Sequence, residues 1–272
     1  MSTPSVEPSV QPTADVAVIG GTGFYSFLDD PVEHTVSTPY GDPSSSIAIG
    51  TVNGRSAAFL PRHGQHHAYP PHAINYRANL WALRSLGVRQ VLAPCAVGGL
   101  RTEVAPGDIV VPDQLVDRTF TRTQSYVETG AVHLPFADPY CARLSAAVQG
   151  DDVAHGGTMV VIEGPRFSTR AESQHYAAQG WTLVNMTGHP EAVLAREMTM
   201  CYSAVALVTD MDAGVEEGSG VSQDEVFALF ASRIERLKEL LGATIGDLPD
   251  PDGCSCAAWT DGVDVTYEIP GR

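Results

Sequence analysis

Positive charge is scarce in this chain: 16 Lys and Arg stand against 32 Asp and Glu, a formal net charge of −16 over 272 residues. No run of Lys or Arg relieves that field locally, so polyanions and anionic surfaces are repelled. Neither nucleic acid nor a membrane is expected as a partner. No window of about 18 apolar residues occurs, which excludes a membrane-spanning helix. The opening MSTPSVEPSVQPTAD has neither a basic nor an apolar region and reads as a disordered tail over 1–14 rather than a signal peptide. Repeats are missing, and so is any CxxC pair. The five cysteines, Cys95, Cys141, Cys201, Cys254 and Cys256, are an odd number, which fits a reduced, cytoplasmic interior. Cys254 and Cys256 stand one residue apart, but no third or fourth ligand is spaced to join them, so no metal site is expected.

What is present is a chain with 43% hydrophobic residues, enough for one α/β domain over 15–272, with 249–272 as an irregular C-terminal segment. Asp15–Ile19 is a β-branched run ending in Gly20-Gly21-Thr22-Gly23. Ile47–Val52 and Arg55–Leu60 flank Asn53-Gly54, a hairpin signal. Apolar runs then alternate with amphipathic ones. Helices are predicted near Ile74–Leu86, Pro139–Val148, Thr169–Gln179, Pro190–Met200 and Ser222–Leu241, and strands near Val88–Ala93, Asp108–Val116, Thr158–Glu163, Leu183–Met186 and Ser203–Thr209. This order predicts a mixed central β-sheet flanked by helices. The last helix starts at Ser222 with Asp224 and Glu225 in its first turn, where acids suit the N-terminal dipole.

Five segments carry candidate chemistry. The Gly-rich turn with Thr22 follows a strand and lets backbone N–H groups approach an anion, although a structural turn uses the same residues. It lacks both the GxGxxG and the GK[ST] spacing. Pro61-Arg62-His63-Gly64 offers a planar guanidinium fork and a second donor; the nearby His66 and His67 keep no recognised metal spacing, so phosphate is the better ligand. Phe167 and Ser168, between a strand and a helix, suit a flat heterocycle and its polar edge, or a core Phe and a cap. Met186 and Thr187 end a strand before another helix, where Thr187 faces an anion or caps the helix. Asp210 and Asp212, two apart at the end of the most hydrophobic strand, point into one pocket if the strand stays extended, and proximity with burial raises one of their pKa values. Capping a loop or holding a divalent ion is the other reading of that pair.

The segments GGTGFY, PRHG, PGDIVVPDQLVDRT, EGPRFST, NMTGHPEAVLARE and TDMD stand in the order found in 5′-methylthioadenosine phosphorylases, and the chain resembles that family from about Asp15 to Leu241. The resemblance implies a nucleoside-phosphorylase-like fold of the trimeric type and a phosphate site at Thr22, Arg62, His63 and Thr187, with Ala96 giving main chain. It implies purine and sugar contacts at Phe167, Ser168, Met186, Asp210 and Asp212. Two positions depart from the family pattern: Cys95 stands where Thr is expected, and Gln223 where the 5′ pocket is usually aliphatic. His133 matches a residue that reaches the neighbouring subunit's 5′ pocket, which implies a homotrimer.

The expected reaction is phosphorolysis of methylthioadenosine, with Asp210 as the acid at purine N7, Asp212 at the 6-amino side and inorganic phosphate as nucleophile and co-substrate. No metal or organic cofactor is expected. The alternatives are a broader purine nucleoside phosphorylase acting on adenosine or 6-oxopurine nucleosides, a nucleotide-dependent oxidoreductase, which the missing fingerprint disfavours, and a nucleoside-binding sensor.

Overall fold

The computed structural model describes residues 13–21, 24, 27–215 and 220–271. Their strands are β1 (Val16–Gly20), β2 (Asp29–His34), β3 (Ile47–Val52), β4 (Arg55–Pro61), β5 (Gln90–Gly99), β6 (Ile109–Val111), β7 (Gln114–Arg118), β8 (Val153–His155), β9 (Thr158–Ile162), β10 (Leu183–Asn185) and β11 (Cys201–Met211). The helices are α1 (Tyr76–Ser85), α2 (Ala142–Ala147), α3 (Arg170–Ala178), α4 (Gly188–Glu197), α5 (Gln223–Asp247) and α6 (Ser255–Ala258).

One mixed sheet runs β2-β3-β4-β1-β5-β10-β9-β7, with β11 parallel to β5 and continuing through β6 to β8. Strands β1 and β5 are buried almost throughout, as continuous apolar runs are when helices cover both faces. Leu80, Leu83 and Leu194 from α1 and α4 pack on one face. Leu144 of α2 and Leu237, Leu241 and Ile245 of α5 pack on the other. Each such side chain contributes about 1.5–3 kcal/mol when fully buried.

The feature that makes room for a site is a split beside β5. One edge of this strand pairs with β1 over Gln90–Leu92 and with β10 at Gly98 and Gly99. Between them, Pro94–Val97 has no strand neighbour on that edge among the described residues. Pro94 fits there because it has no N–H to leave unpaired. Side chains take over the ladder's work: Arg62 Nη1 donates to the Pro94 carbonyl at 3.1 Å, and Asn185 Nδ2 donates to the Ala96 carbonyl at 3.1 Å. Because a strand residue presents its N–H and C=O to the same edge, the Ala96 N–H also faces the gap.

Several expectations change. The single strand expected over Asp108–Val116 is two, β6 and β7, broken at Pro112-Asp113, where the chain leaves β11 for β9. Strands β5 and β11 run on to Gly99 and Met211, and α5 continues to Asp247. Ser222 is the α5 N-cap residue but accepts no side-chain bond, while Asp224 and Glu225 do occupy the first turn. Strand β2, rich in acids and largely exposed, carries no apolar alternation to announce it. Of the expected tail, Ala14 is already buried, its N–H on the Leu86 carbonyl at 2.9 Å; residues 1–12 lie outside the described residues. The segment 249–272 is not wholly irregular, since it contains α6 and buries Cys256, Thr260 and Ile269. The absence of partners for Cys254 and Cys256 is also overturned. Folding brings Cys141 and Cys201 to them, and the four sulfur atoms lie within 4.8 Å of one another.

Candidate functional site

A cavity of about 830 Å³ opens into the split beside β5. It gathers residues from every segment singled out in the sequence: Arg62 and His63 after β4, Cys95 and Ala96 on β5, Phe167 and Ser168 before α3, Met186 and Thr187 before α4, Asp210 and Asp212 at the end of β11, and Gln223 at the start of α5. Thr22 lies outside the described residues, though its neighbour Gly21 lines the cavity. His133 is exposed in the loop between β7 and α2 and is not part of this lining.

At one end sits Arg62, only 3% exposed. Its Nε and Nη2 grip Glu191 of α4 at 2.5 and 3.0 Å, and Nη2 also donates to the Ile19 carbonyl at 2.8 Å. The fork expected to face an oxyanion is therefore occupied by a carboxylate. With Pro94 included, four of the five guanidinium protons are committed, and one on Nη1 has no partner among the described residues. Burial by itself would lower the Arg62 pKa; the Glu191 carboxylate outweighs it and holds the group above its ordinary value.

His63 beside it is pushed down to about 4, chiefly by desolvation, and is neutral at pH 7. Its Nδ1 lies 2.9 Å from the Tyr69 carbonyl, an acceptor, which assigns the proton to Nδ1 and leaves the Nε2 lone pair free. Gly64 makes this turn possible: it has φ +71°, and a Cβ there would stand 2.9 Å from the Ser44 carbonyl. Cys95 is buried and its thiol pushed up to about 12 by desolvation, so it is a neutral wall.

The third support of this end is Asn185, which the sequence reading left unassigned. Its Oδ1 accepts from the Thr187 and Gly188 N–H groups, both at 2.7 Å, so Asn185 rather than Thr187 caps α4. Among the described residues the Thr187 hydroxyl has only a long 3.4 Å contact to that oxygen, and it makes no capping bond. Asn185→Ala would orphan two N–H groups and the Ala96 carbonyl. We expect a stability loss of about 1–3 kcal/mol by denaturant titration. The variant should also bind inorganic phosphate, the anion expected here, more weakly; unchanged binding would mean that Asn185 has no part in shaping the anion end.

At the opposite end a register shift between Val208 and Asp210 bends the last turn of β11. Asp210 and Asp212 both reach the cavity. Burial, reinforced by Asp212 and Glu225, lifts the Asp210 carboxyl to about 6 against a bond from the Thr209 hydroxyl at 2.8 Å. Asp212, 3% exposed, is fixed differently, with Ser173 Oγ donating to it at 2.5 Å. Gly98 leaves room for both: a Cβ there would stand 2.9 Å from Val184 Cγ1 and 3.2 Å from Asp210 Oδ1.

Phe167 and Ser168 stand over this end on a short segment whose exit is pinned by a capping box. Thr169 Oγ1 accepts from the Glu172 N–H at 3.2 Å, and Glu172 accepts from the Thr169 N–H at 2.7 Å. The Phe167 ring is 36% exposed, and the buried Ser168 hydroxyl has no partner among the described residues. A flat polar ring between them would cover the first and satisfy the second. The third wall is α5, where Val226, Phe227, Phe230 and Ile234 surround Gln223 with apolar surface. Phe227 is 49% exposed and its ring lies 5.8 Å from His67, which stacks on His63 at 4.8 Å.

Comparison with known proteins identifies the family. A family model described as the phosphorylase superfamily matches residues 15–245. An S-methyl-5′-thioadenosine phosphorylase of Mycobacterium tuberculosis is 57% identical, the match covering 94% of this chain and 97% of that one. A purine nucleoside phosphorylase of Streptomyces coelicolor is 53% identical over 94% of this chain and 98% of its own. A solved methylthioadenosine phosphorylase from Schistosoma mansoni, in complex with adenine, superposes with a TM-score of 0.80 at 35% identity, covering 86% of this chain and 91% of that chain. By fold and by sequence over almost its whole length, the chain belongs to the phosphorylase superfamily, in the branch that holds the methylthioadenosine phosphorylases.

Proposed function

We propose that the chain catalyses phosphorolysis of 5′-methylthioadenosine to adenine and 5-methylthioribose 1-phosphate. The observation that carries this reading is the arrangement of one cavity: an acid pair at one end, a charge-compensated donor set at the opposite end, and the apolar wall of α5 beside them. The relatives named above act on such nucleosides or bind adenine, which supports it.

In this mechanism the C1′–N9 bond breaks with its electron pair leaving on the purine, and Asp210 gives its proton to N7 so that adenine departs neutral. Asp212 accepts from the 6-amino group and Ser168 meets the ring edge beneath Phe167. Phosphate is held by the free Arg62 Nη1 proton, the Ala96 N–H, and the Thr187 and Thr22 hydroxyls, with His63 Nε2 accepting from a P–OH. One phosphate oxygen then bonds to C1′, and the net change is transfer of a pentosyl group. No metal or organic cofactor takes part.

The α5 wall suits a methylthio group, whose carbon and sulfur gain from apolar burial. Gln223 on the same wall supports a second reading, a broader purine nucleoside phosphorylase that also takes a 5′-hydroxyl. The same proposal places the enzyme in purine and methionine salvage in a reducing cytoplasm, which the odd number of cysteines supports. It makes the active assembly a homotrimer in which the exposed His133 reaches a neighbour's 5′ pocket.

The test offers methylthioadenosine, adenosine and inosine side by side to purified protein and follows free base by chromatography. Adenine from methylthioadenosine, released only with phosphate and faster than from adenosine, is expected. Equal rates on the two would favour the broader enzyme. Preferential release of hypoxanthine would show that the acid pair has been misread.

A further inference from the structure

We propose that Cys141, Cys201, Cys254 and Cys256 form a structural site for one zinc ion that fastens the C-terminal segment to the start of β11. Four sulfur atoms from three distant parts of the chain converge: the residue before α2, the first residue of β11, and the pair at the start of α6. All lie within 4.8 Å of one another, and Cys141 and Cys254 are already 3.6 Å apart. A tetrahedral Zn–S₄ centre, with Zn–S near 2.3 Å, needs sulfur separations of about 3.8 Å. The cluster reaches that with adjustments of about 1 Å or less.

Position and charge agree with this use. Cys141, Cys201 and Cys256 are 2–3% exposed, so a bound ion would be closed off from solvent on three sides, as structural sites are. Binding follows Zn²⁺ plus four thiols giving a tetrathiolate with net charge −2 and four released protons. Arg143 is placed to balance that charge: its Nη2 is 3.4 Å from Cys201 Sγ while also donating to Gln90 Oε1 at 2.6 Å. Disulfides are the competing use of four cysteines, but they join sulfurs two by two and give no reason for all four to meet at one point. The ion would take no part in phosphorolysis. Strand β11 separates Cys201 from Asp210 by nine residues, on the order of 30 Å of extended chain.

The experiment uses the full chain purified without chelator. Elemental analysis is expected to find one zinc per chain, retained on dialysis and released as a mercurial reagent titrates four thiols. Cobalt in its place should show the thiolate-to-metal absorption of a tetrahedral site. Cys254→Ser/Cys256→Ser should hold less than about a tenth of the metal, two ligands being too few for a stable site. If that pair fails to fold, the unmodified chain still decides. Four freely alkylated thiols with no zinc bound, after reduced protein is offered an equimolar amount, would overturn the proposal. So would an intact mass four hydrogens lower, marking two disulfides in a metal-free protein.

Discussion

Replacing Asp210 with Asn is expected to make the protein less active and more stable at once. As the proposed donor to purine N7, Asp210 supplies a proton that an amide cannot, so kcat/KM on methylthioadenosine should fall by about 10²–10⁴-fold. The Asn can still donate a hydrogen bond to N7, which keeps the variant above the uncatalysed rate. The stability gain comes from burial. The rise of the carboxyl from 3.8 to about 6 means that the ionised form is penalised in the fold by up to about 3 kcal/mol.

The sign follows from proton uptake. A carboxyl whose folded pKa is raised binds more protons folded than unfolded near pH 5. The penalty is therefore absent below pH 3.8, grows as the pH rises through about 6, and is complete at pH 7. Denaturant titrations at pH 7 should show Asp210→Asn ahead of the wild type, with the gap closing as the pH drops towards 4. In the wild type kcat/KM for nucleoside at saturating phosphate should decline above pH about 6, and the variant should lack that limb. Full activity in the variant would remove Asp210 from the mechanism.

Glu191→Ala is expected to cost about 3–5 kcal/mol, because it leaves a buried guanidinium without its counter-charge. Arg62 and Glu191 are 3% and 1% exposed, and the Tyr202 hydroxyl, which donates to Glu191 at 2.9 Å, loses its acceptor too. For a chain of this size the melting temperature should drop by on the order of 10 °C in phosphate-free buffer. Adding phosphate should recover part of that loss, since the anion stands in for the missing carboxylate, and should stabilise the variant more than the wild type. An equal phosphate effect on both proteins would place the anion elsewhere than beside Arg62.

The layers of the fold and most of the site are legible in the sequence because they rest on local signals. The Asn53-Gly54 hairpin is found within one residue of its strands, and the apolar run into Asp210 is the central partner of β5. The acid pair is legible because a strand's two-residue period puts both carboxylates on one side, and the register shift between Val208 and Asp210 precedes the pair. What escaped depends on tertiary contacts with no sequence spacing. Glu191 sits 129 residues from Arg62, so nothing in PRHG reveals that the fork is already taken. Asn185 opens NMTGHPEAVLARE, but its double role depends on the open edge of β5. The four cysteines converge from positions 141, 201, 254 and 256, a spacing unlike any local metal motif.

The neutralised guanidinium also decides which adenine compounds the cavity turns away. Among the described lining residues Arg62 is the one permanent cation, and Glu191 has already cancelled it. At the far wall a 5′-phosphate would meet Phe227, Val226 and Gln223, with Asp224 and Glu225 in the same helical turn. A nucleotide would have to shed its hydration there without gaining a permanent counter-ion from the described residues of this chain. That wall thus favours an uncharged 5′ substituent over a 5′-phosphate.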